Sequence, residues 1–215
     1  MLPSLFIQRL TLILTLATNL LTYYAYGQNI QPNIVFVLAD DFGYNDIGYH
    51  SSQISVGQAG EKRCHLRELL RPAHLYTNSE PTFVRAIHTG LQHGIIEPEQ
   101  PNALPLDCPT ITDQLKRAGY STHMVGKWHL GFYEDAYLPW KRGFDTYYGY
   151  LTQSENYFTH TAPFNIKNGK PYLDFRSEMT PVRNESGHYS THIFTSKAID
   201  LVHSHNRSKA RFDML

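Results

Sequence analysis

Gly119-Tyr-Ser-Thr-His-Met-Val-Gly-Lys-Trp-His-Leu130 is the stretch that decides the fold. Gly119 opens a strand over Tyr120 to Val125, Gly126 and Lys127 make a tight turn, and Trp128 and His129 follow directly. Lys127 and His129 stand two residues apart, so in an extended segment their side chains point the same way. The strand end therefore brings an ammonium and an imidazole to one spot. A lone turn lysine is ordinarily solvated and a lone histidine ordinarily structural. It is their spacing at a strand end that points to chemistry.

The flanking sequence supplies the layers. Thr110 to Ala118 reads as a helix: Thr110 can cap it with Asp113 three residues on, Ile111, Leu115 and Ala118 share a face, and Gly119 ends it. Upstream, Asn33-Ile-Val-Phe-Val-Leu-Ala-Asp-Asp41 is a continuous apolar run that ends in two carboxylates. That is the pattern of a central parallel strand buried on both faces. Alternating strand and helix predict an α/β fold with parallel strands and right-handed crossovers. Ser190 to His203 predicts a second helix, with Ile193, Ala198, Ile199, Leu201 and Val202 apolar. Residues 131 to 188 are rich in Tyr, Pro and Gly and read as loop-rich.

Bulk properties narrow the classes. The chain has 215 residues, enough for one domain with a core, and 19 Lys plus Arg balance 19 Asp plus Glu. No basic run points to nucleic acid or to a membrane surface. Leu10 to Leu21 is almost wholly apolar, Arg9 precedes it and Ala25-Tyr-Gly27 follows, which is the layout of a cleaved signal peptide over residues 1–27. The other reading is an uncleaved anchor, but the run is short against the roughly 20 residues a span needs. Sequons at Asn184 and Asn206 agree with a secretory route, lysosomal or extracellular. Cys64 and Cys108 are the only cysteines, and Cys108 reads as a small buried hydrophobe.

Asp40 and Asp41 fall at the carboxyl end of their strand, the edge where open α/β sheets bind ligands. Adjacent carboxylates repel unless a cation lies between them, and hard oxygens suit Ca²⁺ or Mg²⁺. An isolated Asp-Asp pair would only open the turn before Gly43. The longer match decides: Leu38-Ala-Asp-Asp-Phe-Gly-Tyr-Asn-Asp46 resembles the metal-binding first strand of the sulfatases, and Gly119 to Leu130 resembles their second signature. His88-Thr-Gly-Leu-Gln-His-Gly-Ile95, Gln100-Pro-Asn-Ala-Leu-Pro-Leu106 and Arg142-Gly-Phe-Asp-Thr-Tyr-Tyr-Gly-Tyr-Leu151 are similar to the arylsulfatase B (N-acetylgalactosamine-4-sulfatase) branch. The resemblance implies an alkaline-phosphatase-like N-terminal domain over residues 30–215, its mostly parallel sheet flanked by helices and incomplete here. It implies hydrolysis of sulfate esters of sugars, such as the 4-sulfate of N-acetylgalactosamine in a glycosaminoglycan. It also implies Ca²⁺ on Asp40 and Asp41, Lys127 on the sulfate, and His129 near the hydroxyl of a Cys-derived formylglycine installed by the formylglycine-generating enzyme. A distal Asp-Asn pair completes the family's metal site and has no counterpart before Leu215, so the expected site is half built.

The family nucleophile motif, Cys-x-Pro-Ser-Arg or a variant, is absent as written: Cys64 precedes His-Leu-Arg and Cys108 precedes Pro-Thr-Ile. Residues 56–86 do not resemble the family, although both flanks do. Read one nucleotide forward, the junctions from Leu75 through Glu80 permit Cys-Thr-Pro-Thr-Arg, and the same frame continues as Ser-Gln-Leu-Leu-Ser-Gly-Arg-Tyr. Residues 56–86 are thus expected to be an out-of-frame exon or a frameshift in a decaying gene, with a divergent insert as the alternative. The literal chain is expected to be catalytically incompetent and poorly stable. A secreted non-catalytic binder of sulfated glycan is the second reading. A phosphate-directed relative is the third, and the concealed cysteine argues against it. Sequencing the transcript across codons 50 to 90 is expected to show that the shifted frame encodes Cys-Thr-Pro-Thr-Arg; a message that encodes residues 56–86 as written would remove the nucleophile from the reading.

Overall fold

The computed structural model describes residues 31–40, 91, 95–98, 100–162, 171–206 and 208–215. The chain divides into two units, Met1–Asn33 and Ile34–Leu215, and the second carries every element below. The signal peptide, Asp41, Cys64 and residues 56–86 lie outside the described residues.

The elements in chain order are β1 (Ile34–Phe36), α1 (Ile111–Arg117), β2 (Ser121–Lys127), β3 (Thr146–Tyr150), β4 (Arg176–Ser177), β5 (Thr180–Pro181), α2 (Ser190–Ser204) and β6 (Arg211–Met214). Two short 3₁₀ turns, Asp135–Tyr137 and Pro139–Lys141, lie between β2 and β3. They form one sheet in the order β1-β6-β2-β3-β4-β5. The first four strands are mutually parallel; β4 and β5 are antiparallel additions.

α1 forms where capping chemistry predicts it. The Thr110 hydroxyl accepts from the Asp113 amide at 3.1 Å, and the Thr110 amide donates to the Asp113 carboxylate at 2.8 Å. Ile111 and Leu115, four residues apart, meet the core. On one face of the sheet the core gathers Met124, Tyr147, Phe212 and Met214 with Trp128, Leu130 and Phe144. The opposite face is covered by α2: Phe194 stacks on Tyr150 with ring centroids 6.4 Å apart, and the Lys197 ammonium lies 5.0 Å from the Tyr148 ring centre. Of the apolar residues of α2, Ile199 and Val202 are exposed, while Phe194 packs inward on Tyr150.

One expectation changes. The run at 33–40 forms only a three-residue strand, which pairs with β6 alone among the described residues. Val35 and Val37 are 51% and 69% exposed, so only the face of Ile34 and Phe36 is covered. Residues 131–188 are loop-rich and also hold the short strands β3, β4 and β5; aromatic Tyr147 and Tyr148 favour a pleated surface that α2 and the core cover. The final residues form β6, a central strand flanked by β1 and β2. Arg211 and Asp213 there face the α2 side; Arg211 Nε lies 2.8 Å from Asp213 Oδ2, and its guanidinium donates to the Val202 carbonyl at 3.0 Å.

Gly126 and Gly149 are register partners in β2 and β3, both with positive φ (125° and 157°). A Cβ on Gly149 would run into the Gly126 backbone. Gly149→Ala is expected to cost about 2 kcal/mol or more, as overpacking does. A urea midpoint unchanged from that of the parent chain would show that the strands can part there.

Candidate functional site

The site grows from the end of β2. Past Lys127 the chain leaves the strand, yet pairing with β3 continues: the Trp128 amide donates to the Tyr150 carbonyl at 2.9 Å, and the His129 amide to the Leu151 carbonyl at 3.1 Å. Trp128 anchors the turn. Its indole N–H lies within hydrogen-bond reach of the Gly131 and Tyr137 carbonyls, and its ring meets Phe144 edge-on at 6.2 Å. His129 takes a left-handed conformation, φ 49°, which a non-glycine residue adopts only when its surroundings hold it there.

The backbone twist sits between two groups that remain electrostatic neighbours: the Lys127 charge acts directly on the His129 imidazole. Lys127 Nζ reaches Asp40 Oδ2 at 2.6 Å, whereas His129 turns inward and is 4% exposed. His129 Nε2 lies 3.1 Å from the Ile96 carbonyl oxygen. A carbonyl only accepts, so Nε2 carries the proton and Nδ1 presents a lone pair. Nδ1 has no hydrogen-bond partner among the described residues. Burial, and then the Lys127 charge, press the imidazole pKa down from 6.5 to about 4, so it is neutral near neutral pH.

Asp40 is the one predicted metal ligand within the described residues, and its side chain is 44% exposed. No group of three His, Cys, Asp or Glu residues able to hold a metal occurs among the described residues. A calcium ion takes about six to eight oxygens. One carboxylate, already paired with Lys127, does not fit that requirement by itself.

Several groups at this edge carry no sequence motif. Tyr150, the register partner of Lys127, is largely buried, and burial followed by the Glu155 charge pushes its phenol well above the usual range. The Tyr147 hydroxyl lies 2.6 Å from the Tyr150 carbonyl and 3.2 Å from that of Gly126. Asp174, 3% exposed, accepts from the amides of Leu151 and Thr152 and from the Thr152 hydroxyl. Only the cross-strand register and the third dimension bring these groups together. A cavity of about 900 Å³ between Tyr148, Phe158, Tyr189 and Lys197 includes neither Lys127 nor His129.

The sulfatase family profile matches residues 32–215. This chain belongs to the sulfatase family. It is 40% identical to mouse arylsulfatase J over 193 residues, covering 85% of this chain and 31% of that protein. It is 28% identical to mouse N-acetylgalactosamine-6-sulfatase over 230 residues, covering 95% of this chain and 42% of that one. The structure of BT4656 in complex with its substrate D-glucosamine-2-N,6-O-disulfate superposes with a TM-score of 0.56 at 19% identity, over 86% of this chain and 33% of that one. The fold is thus the alkaline-phosphatase-like α/β fold of the sulfatases, and this sulfatase spans less than half the length of these relatives.

Both sequon asparagines are exposed, Asn184 in a turn and Asn206 just past α2. Cys108 is a free, half-buried thiol packed against the core. No helix among the described residues is long and apolar enough to cross a membrane.

The His129 shift has a signed consequence. Between 6.5 and about 4 the unfolded chain binds a proton that the folded chain refuses. This group therefore removes stability as pH falls through that window and changes nothing further below it. In urea titrations at a series of pH values, His129→Gln is expected to flatten the loss across the window; equal slopes in parent and variant would show that His129 titrates normally.

Proposed function

We infer that the intact protein hydrolyses sulfate esters of sugars. The observation that carries this is the end of β2 within a sulfatase-family fold, where a Lys127 ammonium stands beside a neutral, buried His129 whose Nδ1 lone pair is unclaimed among the described residues. Lys127 is suited to sulfate oxygens, which gain charge as the ester bond breaks. The His129 lone pair can take a proton from an attacking hydroxyl and return it to the departing alcohol. The hydroxyl belongs to formylglycine made from a cysteine by the formylglycine-generating enzyme, a group for which the sequence as written provides no motif. Calcium enters the proposal as a hard cation for which Asp40 and Asp41 would supply two oxygens among several.

The finer reading is a glycosaminoglycan substrate bearing N-acetylgalactosamine 4-sulfate, with placement in the arylsulfatase B branch. It is supported by the flanking segments, above all Arg142 to Leu151; the relative named N-acetylgalactosamine-6-sulfatase supports the sugar but not the 4-position. A secretory, lysosomal or extracellular setting follows from the apolar N-terminal run and the exposed sequons. The absent nucleophile motif favours a second reading for the literal chain: a non-catalytic product that binds sulfated glycan without cleaving it.

The test is turnover of p-nitrocatechol sulfate by the frame-corrected full-length protein. Turnover is expected, and Lys127→Ala is expected to lower kcat by about 100- to 1000-fold, the loss seen when one charge-stabilising donor is removed. No turnover by a formylglycine-bearing, calcium-loaded sample would sink the hydrolase reading.

A further inference from the structure

His129 keeps its left-handed backbone because the Leu151 carbonyl takes its amide proton at 3.1 Å. What fixes Leu151 therefore fixes His129. The Leu151 amide donates to both oxygens of Asp174, at 3.1 and 3.2 Å. The next amide, Thr152, donates to Asp174 Oδ2 at 2.8 Å, and the Thr152 hydroxyl donates to the same oxygen at 2.6 Å. Leu151, Thr152 and Asp174 are all buried. The Asp174 amide is itself tied to the His160 carbonyl at 3.0 Å, which fixes the carboxylate's own segment.

No Lys, Arg or His forms an ion pair with Asp174 among the described residues, so its charge rests on these three donors. A buried carboxylate without a counter-ion is costly unless hydrogen bonds replace its hydration. An apolar residue would serve packing alone more cheaply. The cost is explicable if three donors must converge on one point to hold the segment that orients the imidazole.

The geometry points to Asp174 as a positioning residue: through the Leu151–Thr152 backbone it holds His129 in the conformation that presents Nδ1 to the reacting centre. Asp174 touches neither Lys127 nor His129. It acts at one remove, and its contribution is orientation. This rests on the hydrolase reading for its catalytic consequence but not for its structural one.

The two are separated by measuring both. In Asp174→Asn one acceptor becomes an NH₂ group that faces a donor, so the clamp loosens. ¹⁵N NMR of the His129 ring in the full chain is expected to show the Nε2–H tautomer in the parent and a mixture in the variant. In the frame-corrected enzyme, kcat is expected to fall about 10- to 100-fold with KM unchanged, the scale of a misplacement of about 1 Å. Thr110→Ala, which weakens the α1 cap instead, serves as a control and should leave the ring signals and kcat in place. Should Asp174→Asn fail to fold, Thr152→Val removes only the hydroxyl donor and is expected to move the same signals less far. Unchanged His129 ring signals in a folded clamp variant would overturn the proposal, as would changes no larger than those of Thr110→Ala. Shifted ring signals in an enzyme with no turnover would uphold the clamp while defeating the hydrolase reading.

Discussion

Two backbone hydrogen bonds, from Trp128 to Tyr150 and from His129 to Leu151, govern the rest of the site. They prolong the pairing of β2 and β3 past the point where the chain ceases to be a strand. A left-handed non-glycine residue costs about 1–2 kcal/mol. Two such hydrogen bonds, at about 1 kcal/mol each, are of the same size. The margin comes from Trp128, whose indole is buried against Phe144 and satisfied by loop carbonyls. The turn is thus held by core packing, and the histidine's orientation is a product of the hydrophobic interior.

The same burial sets the electrostatics. Desolvation contributes most to keeping His129 neutral, with Lys127 second. Among the described residues Lys127 is held by a partly exposed pairing with Asp40. Pairs of that kind contribute about 0.2–1 kcal/mol. For the proposed substrate, a sulfate ester with a single negative charge, drawing the ammonium away would cost little. His129 is held by burial while Lys127 is held by a weak pair, a division consistent with the proposed roles of the two groups.

Much of this was legible in the chain. The Thr110 cap, the face of Ile111 and Leu115, the strand through Val125 and the helix from Ser190 follow from spacing and residue type. The left-handed φ of His129 was not, because nothing in the residue types of this stretch departs from an extended segment. Asp174 was illegible for another reason: its partners lie over twenty residues away, and two of the three are backbone amides, which leave no mark on side-chain pattern. β6 was hidden because Arg211 and Asp213 interrupt the apolar run by which buried parallel strands are recognised. Val35 and Val37 were read the opposite way, as covered on both sides, from a run that was continuous.

That pair of charges inside β6 also guards against a misalignment. Asp213 stands beside His123 in the pairing with β2, while Phe212 and Met214 turn to the other face. Sliding β6 by a single residue would thrust an aspartate and an arginine among Met124 and Tyr147 and bring the two apolar side chains out beneath α2. Charge stranded in that oily interior is heavily penalised. A uniformly aliphatic strand could settle in either alignment, whereas this one tolerates only the alignment observed.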